Sequence, residues 1–81
     1  MFWEKKDCDE FFLSCGGKDN IKDLSTCFTR LRIQLENYSV FNKEAMMHIP
    51  GVKGIFVRES EIQIVIGLKA SSLCRELKSI L

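Results

Sequence analysis

The sequence has almost no net charge, with twelve Lys and Arg against eleven Asp and Glu leaving +1 at neutral pH. A domain that tracks a nucleic-acid backbone normally shows a strong basic excess, so this balance argues against an extended nucleic-acid footprint. Nor do aromatic residues recur along the strand-like segments where bases would stack. No apolar run approaches the roughly 18 residues that a membrane-spanning helix needs. Residues 1–7 lack the basic start and apolar core of a signal peptide. The only histidine, His48, has no cysteine or carboxylate at a metal-ligand spacing, so a structural or surface role is expected and no metal is assigned. The four cysteines, at positions 8, 15, 27 and 74, form no Cys-x-x-Cys pair. With no sign of export they are expected to be free thiols in a cytoplasmic setting. There is one proline and no low-complexity segment.

What remains is the composition of an ordinary soluble domain, 46% hydrophobic and 28% charged, in 81 residues that suffice for one small core. Residues 1–7 contain Phe2 and Trp3 without periodicity and are assigned to a tail or linker remnant, with residues 8–81 as the single domain. Cys8, Phe11, Phe12 and Cys15 recur at helical spacing, and Gly16-Gly17 is a natural stop. Residues 20–26 read as a first strand, and the strand after Cys27 runs to about Asn37 with Leu31, Ile33 and Leu35 inward. Asn42 caps a helix over residues 43–49, with Met46, Met47 and Ile49 in the core and Pro50-Gly51 closing it. Residues 52–58 and 62–66 form a hairpin around Glu59-Ser60-Glu61, and a final amphipathic helix from Ala70 carries Leu73, Cys74, Leu77, Ile80 and Leu81, capped by Ser71 or Ser72. Two hairpins and three helices in the order helix-strand-strand-helix-strand-strand-helix predict an α+β fold, a four-stranded antiparallel sheet with the helices packed on one face.

The chemistry concentrates in residues 24–35. If Cys27 lies in the turn, alternation sends Thr29, Leu31, Ile33 and Leu35 to one face and Phe28, Arg30, Arg32 and Gln34 to the other. Both guanidinium groups then leave from the same side as planar donors that match phosphate oxygens, and a nearby cation favours thiolate over thiol. Two arginines on a strand face are by themselves an ordinary solvated surface; beside a turn cysteine they become a phosphate clamp. Thr29 has a hydroxyl to offer, although alternation points it inward to a structural role, and both readings stand. Backbone N–H groups of residues 28–30 can cradle oxygens as a nest does. Phe28, an exposed aromatic on the rim, is a candidate contact for a partner protein.

Gly16-Gly17-Lys18-Asp19-Asn20-Ile21, then Leu24, then Cys27-x-Thr29-Arg30-Leu31-Arg32, resembles the IIB domain of the glucose family of the bacterial sugar phosphotransferase system. The resemblance runs from about Asp9 to the C-terminus and rests on the order and spacing of the two motifs. It implies the same four-stranded sheet with helices on one side. It also implies that Cys27 accepts a phosphoryl group from a phosphohistidine of a IIA partner and passes it to a sugar held by a membrane-embedded IIC domain. On this reading Arg30 and Arg32 neutralise charge during transfer, Gln63 contacts phosphate, Phe28 and Ser25 meet the partner, and no cofactor is needed. Ser25 departs from the pattern, since many members carry an acidic residue there. The implied location is cytoplasmic, at the inner face of the membrane when joined to or docked on the IIC domain.

Two rivals remain. A cysteine phosphatase also pairs a thiolate with an arginine, but here no glycine lies between Cys27 and Arg32 and a strand follows in place of a helix. A regulatory or binding module of the same fold, without phosphotransfer, predicts that Cys27→Ser leaves function intact. Gly51-Val52-Lys53-Gly54 matches the Gly-x-x-Gly of KH loops, but here it opens a strand and reads as a helix-to-strand turn.

Overall fold

The structure, a computed structural model, describes residues 2–81. Helix α1 spans Lys5–Ser14. The Asp7 carboxylate accepts the Glu4 N–H at 3.0 Å, closing its first turn. The stripe read from the sequence is the face it buries, Cys8, Phe11, Phe12 and the following Cys15. The helix stops where two glycines take left-handed backbone, Gly16 at φ +93 and Gly17 at φ +101. Gly17 N–H donates to the Phe12 carbonyl at 2.8 Å and Gly16 N–H to Leu13 at 3.0 Å, the paired bonds of a Schellman stop. A side chain at Gly16 would also collide with Val40, whose Cγ2 would lie 2.4 Å from a Cβ there. Asn20 then fastens the exit, donating from Nδ2 to the carbonyls of Cys15 (2.7 Å) and Asn37 (2.8 Å) and accepting the Asn37 N–H (2.9 Å). The Gly-Gly-Lys-x-Asn run is thus a helix stop and a brace, and takes no part in the cavity described below.

A 3-10 turn at Lys18–Asn20 leads into β1 (Ile21–Cys27), which pairs with β2 (Arg30–Leu35). After α2 (Lys43–Met47) come β3 (Gly54–Val57) and β4 (Ile62–Val65), then α3 (Ala70–Ile80). The sheet order is β1-β2-β4-β3, antiparallel throughout. This is the predicted four-stranded sheet with three helices. Its inward face presents Leu24, Leu31, Ile33, Leu35, Ile55, Ile62 and Ile64, all buried, and α3 lies over β1 and β2 while α2 meets α1 and β3.

Several boundaries differ from the sequence reading. Cys27 is the last residue of β1 and not a turn residue, β2 ends at Leu35, α2 ends at Met47, and β3 begins at Gly54. Asn42 caps α2 as expected, accepting the Ala45 N–H at 3.0 Å. Met47 is 40% exposed, because Met46 and Ile49 take the inward side of this short helix and Met47 points a quarter turn away. Ser71 and Ser72 are not caps. They lie inside α3, whose N-cap is Lys69 without a side-chain bond, since an earlier start lets Ala70, Leu73, Cys74 and Leu77 form one buried stripe. Ile80 and Leu81 run out past it, half-exposed.

The largest difference is at residues 2–7 of the expected tail 1–7, whose first residue lies outside the described residues. Trp3 is fully buried, its indole N–H donates to the Pro50 carbonyl at 2.6 Å, and its ring packs tilted against Phe11 with centroids 5.6 Å apart. Losing this side chain removes a core aromatic. Trp3→Ala is therefore expected to cost about 3–5 kcal/mol in urea unfolding, against less than about 0.5 kcal/mol for the exposed Met47→Ala. Equal effects from the two substitutions would return residues 2–7 to the status of a tail.

Candidate functional site

Residues directly opposite in an antiparallel ladder share a face, so the register assembles the site. Cys27 stands opposite Arg30 and Ser25 opposite Arg32 across β1 and β2. Arg30 faces Val65 and Arg32 faces Gln63 across β2 and β4, and Gln63 faces Phe56 across β3. Leu31 and Ile33 are pinned in the core, so both arginines and Gln63 must leave from the helix-free face. There Cys27, Phe28, Thr29, Arg30, Arg32 and Gln63 line one open cavity of about 360 Å³.

The hairpin between β1 and β2 is a two-residue loop, Phe28-Thr29. Among the described residues Phe28 is the one non-glycine with positive φ, +56, at the loop position where glycine commonly supplies that geometry, and its side chain is 94% exposed. Thr29, expected at the start of the strand and pointing inward, lies instead in this loop, half-buried on the cavity wall. Its carbonyl accepts the N–H groups of Ile66 and Gly67, both at 2.9 Å, tying the loop to the end of β4. Ser25, the other residue assigned to partner contact, is not part of the cavity. Although opposite Arg32, it lines a neighbouring groove with Thr26, Cys74 and Arg75.

The polar side chains form one chain of bonds. Arg30 donates from Nη1 to Gln63 Oε1 at 2.7 Å, and its guanidinium lies 4.6 Å over the Phe56 ring. Gln63 turns its Nε2 to Glu61 Oε2. Arg32 grips Glu61 as a fork, Nη2 to Oε1 at 2.7 Å and Nε to both oxygens at 3.2 Å. Those hydrogen bonds from Arg32, followed by the one from Gln63, hold the Glu61 carboxyl below the usual carboxylate range. The same carboxylate raises Arg32. Glu61 and Phe56 were not singled out from the sequence. Glu61 was read only as a hairpin turn, yet it sits two places before Gln63, which under strand alternation puts both on the side of the arginines.

Cys27 is the only exposed cysteine. Cys8, Cys15 and Cys74 are buried and their thiols are pushed up, chiefly by burial, Cys15 to about 12. The arrangement therefore joins one accessible sulfur to two guanidinium groups and an amide, a set of donors suited to a tetrahedral anion. His48 sits at the end of α2 with Nδ1 2.8 Å from the Glu44 carbonyl, and the described residues hold no cluster of three or more potential metal ligands. Gly51, at φ +88, packs beneath the Phe2 ring in the α2–β3 turn.

Residues 10–42 match the family model described as phosphotransferase system, EIIB. The chain is 38% identical over 52 residues to the PTS system N-acetylmuramic acid-specific EIIBC component of Pasteurella multocida (strain Pm70), covering 64% of this chain and 11% of that protein. It is 33% identical over 66 residues to the arbutin-, cellobiose-, and salicin-specific EIIBC component of Escherichia coli (strain K12), covering 82% of this chain and 14% of that protein. The chain thus spans only about a tenth to a seventh of the length of such relatives. Among solved structures, one domain of the PTS system IIabc component from Clostridium difficile superposes with a TM-score of 0.80 at 25% identity, covering 94% of this chain and 79% of that one. No helix of the described residues is long and apolar enough to cross a membrane.

Two measurements check this electrostatic and steric picture. Because the folded pKa of Glu61 is depressed, the stabilisation from its pair with Arg32 is present above the ordinary glutamate value of about 4.3 and lost as pH falls through the lower folded value. An NMR titration of the Glu61 side chain is expected to show a midpoint below about 4.3 that returns towards it in Arg32→Gln. A midpoint insensitive to that substitution would deny the pair. Brief iodoacetamide treatment of the native protein is expected to modify Cys27 well before the other three cysteines, as peptide mapping reads directly; comparable labelling of Cys15 would contradict its burial.

Proposed function

We propose that this member of the phosphotransferase system EIIB family is a phosphoryl carrier in sugar uptake, with Cys27 as the atom that holds the group. The observation that carries this reading is that the one accessible thiol shares a cavity with Arg30, Arg32 and Gln63. The donor is a phosphohistidine on a IIA protein or domain. The Cys27 thiolate attacks phosphorus in line; the S–P bond forms as the N–P bond breaks, and the electron pair stays on the imidazole, which takes up a proton. In the second step a sugar hydroxyl held by a IIC domain attacks the same phosphorus. The O–P bond forms, the S–P bond breaks, the hydroxyl proton is released, and sulfur leaves as thiolate. The activity is that of a protein-phosphohistidine–sugar phosphotransferase, IIB component.

This chemistry needs placement and charge more than bond-making groups. Arg30 and Arg32 supply the positive charge for the equatorial oxygens, and Gln63 and the Thr29 hydroxyl supply neutral donors. Phe28, held out at the hairpin tip, and Ser25 beside the cavity offer the surface that a IIA or IIC partner covers, excluding water while phosphorus moves. EIIBC relatives carry this kind of domain in one chain with a C component, which supports a location at the inner face of the membrane.

Incubation with phosphoenolpyruvate, the general phosphotransferase proteins and a IIA protein, followed by intact mass measurement, tests the reading. One phosphoryl group that maps to Cys27 and is absent from Cys27→Ser is the expected result. Arg30→Gln or Arg32→Gln is expected to slow the transfer by roughly 10²-fold or more, as loss of a charged transition-state donor does. No mass gain with several IIA proteins would shift the assignment to a regulatory or binding module.

A further inference from the structure

In the unmodified protein the phosphate-facing donors are already in use. Arg32 gives its fork to Glu61, Gln63 gives its amide N–H to the same carboxylate, and Arg30 donates to the Gln63 carbonyl oxygen. Glu61 is well placed to hold them, with its side chain only 13% exposed while that of Arg32 is 40% exposed. The register keeps it there: Ile62 is buried opposite Ile33, so Glu61 precedes it on the helix-free side, next to the row of Arg32 and Gln63. A phosphoryl group on Cys27 is a second anion that asks for the same guanidinium edge and the same amide hydrogens. Two anions cannot both receive them in full.

We propose that Glu61 is a positioning residue that acts as an internal counter-anion, competing with the phosphoryl group on Cys27 for Arg32 and Gln63. This rests on the carrier reading of Cys27. Its consequence is a division of labour between the two arginines. Arg30, whose partners are a neutral amide and an aromatic ring, is free to turn to phosphate at little electrostatic cost. Arg32 serves phosphate only by leaving a carboxylate. The free energy of breaking that fork is subtracted from the stability of phosphocysteine, so the group is held less tightly and its transfer to the next acceptor is more favourable. When phosphate departs, Glu61 takes Arg32 back, and the empty cavity is left with Arg30 as its one cation without a carboxylate partner, so it retains free phosphate less well.

The test compares wild type with Glu61→Gln, which keeps the volume and removes the charge, and Glu61→Ala. At fixed concentrations of phosphorylated IIA protein and carrier, the equilibrium fraction of phosphorylated Cys27 is read by intact mass. The expected result is an equilibrium constant shifted roughly three- to tenfold towards phosphocysteine in both variants, the scale for a partly exposed, charge-assisted pair. A merely structural Glu61 predicts the opposite sign, because a loosened Arg32 would bind phosphate less well. An unchanged or lowered phosphorylated fraction overturns the proposal.

A second readout needs no transfer. Inorganic phosphate titrated against the Arg32 Nε–Hε resonance is expected to bind more tightly, by a similar factor, to Glu61→Gln than to wild type. Equal or weaker binding overturns the competition. If wild type accepts no phosphoryl group from IIA, the carrier reading falls and the phosphate titration alone decides the role of Glu61. Should Glu61→Ala fold poorly, Glu61→Gln decides.

Discussion

Strand β2 is paired on both edges, and the period of two along it sets everything on the open face. Leu31, Ile33 and Leu35 are locked beneath the helices by burial, so Arg30, Arg32 and Gln34 have no choice of side. A slip of one residue against either neighbour would bury two guanidinium groups and expose three aliphatic side chains. No local preference could offset that. The same constraint places Cys27 opposite Arg30 and Gln63 opposite Arg32, so the site is a by-product of the way the sheet must be registered to close its core. Residues separated in the sequence by more than thirty positions meet because hydrophobic pairing fixes them there, not because polar attraction draws them together.

The parts of this arrangement that were legible in the sequence are those decided within a few residues. Alternation marks β2 and β4 because their inward members are all branched aliphatics. Asn42 reads as a cap because its oxygen needs only the N–H of Ala45, three residues on, and Gly16-Gly17 reads as a stop because the backbone there must turn left-handed. Cys27, Arg30 and Arg32 were recognisable by type and spacing. Features decided at a distance were not. Trp3 looks unpatterned because its partners are Phe11 and the carbonyl of Pro50, 47 positions away, and Glu61 looks like turn filler because Arg32 lies 29 positions before it. The cap of α3 was misplaced for a related reason. Burial of Ala70 decides where that helix begins, and the hydroxyls of Ser71 and Ser72 do not.

The motifs also separate by role. The Gly-Gly-Lys-x-Asn run, which with Cys27-x-Thr29-Arg30-Leu31-Arg32 carries the resemblance to IIB domains, lines no part of the cavity that holds the sulfur. Asn20 spends its amide on Cys15 and Asn37, joining the exit of α1 to the segment that follows β2. Its contribution is to hold the start of β1 and the end of β2 together at the far end of the hairpin from Phe28, so that the near end can be short and rigid. A two-residue loop carrying a bulky residue at positive φ persists only where the strands behind it are held firmly.

The unequal exposure of the four cysteines has a consequence for how such a molecule fails. Cys8, Cys15 and Cys74 are enclosed by the core, whereas Cys27 meets solvent. Peroxide or a small disulfide therefore finds a single sulfur, and the sulfenic acid or mixed disulfide that results lies on the surface, where it displaces no packed atom. If Cys27 is the phosphoryl carrier proposed above, damage of this kind would silence the chain without unfolding it, leaving a well-folded but inert copy that thiol reductants restore. Oxidative ageing and thermal denaturation then strike different parts of one small domain, and a population can lose function while every spectroscopic sign of the fold stays intact.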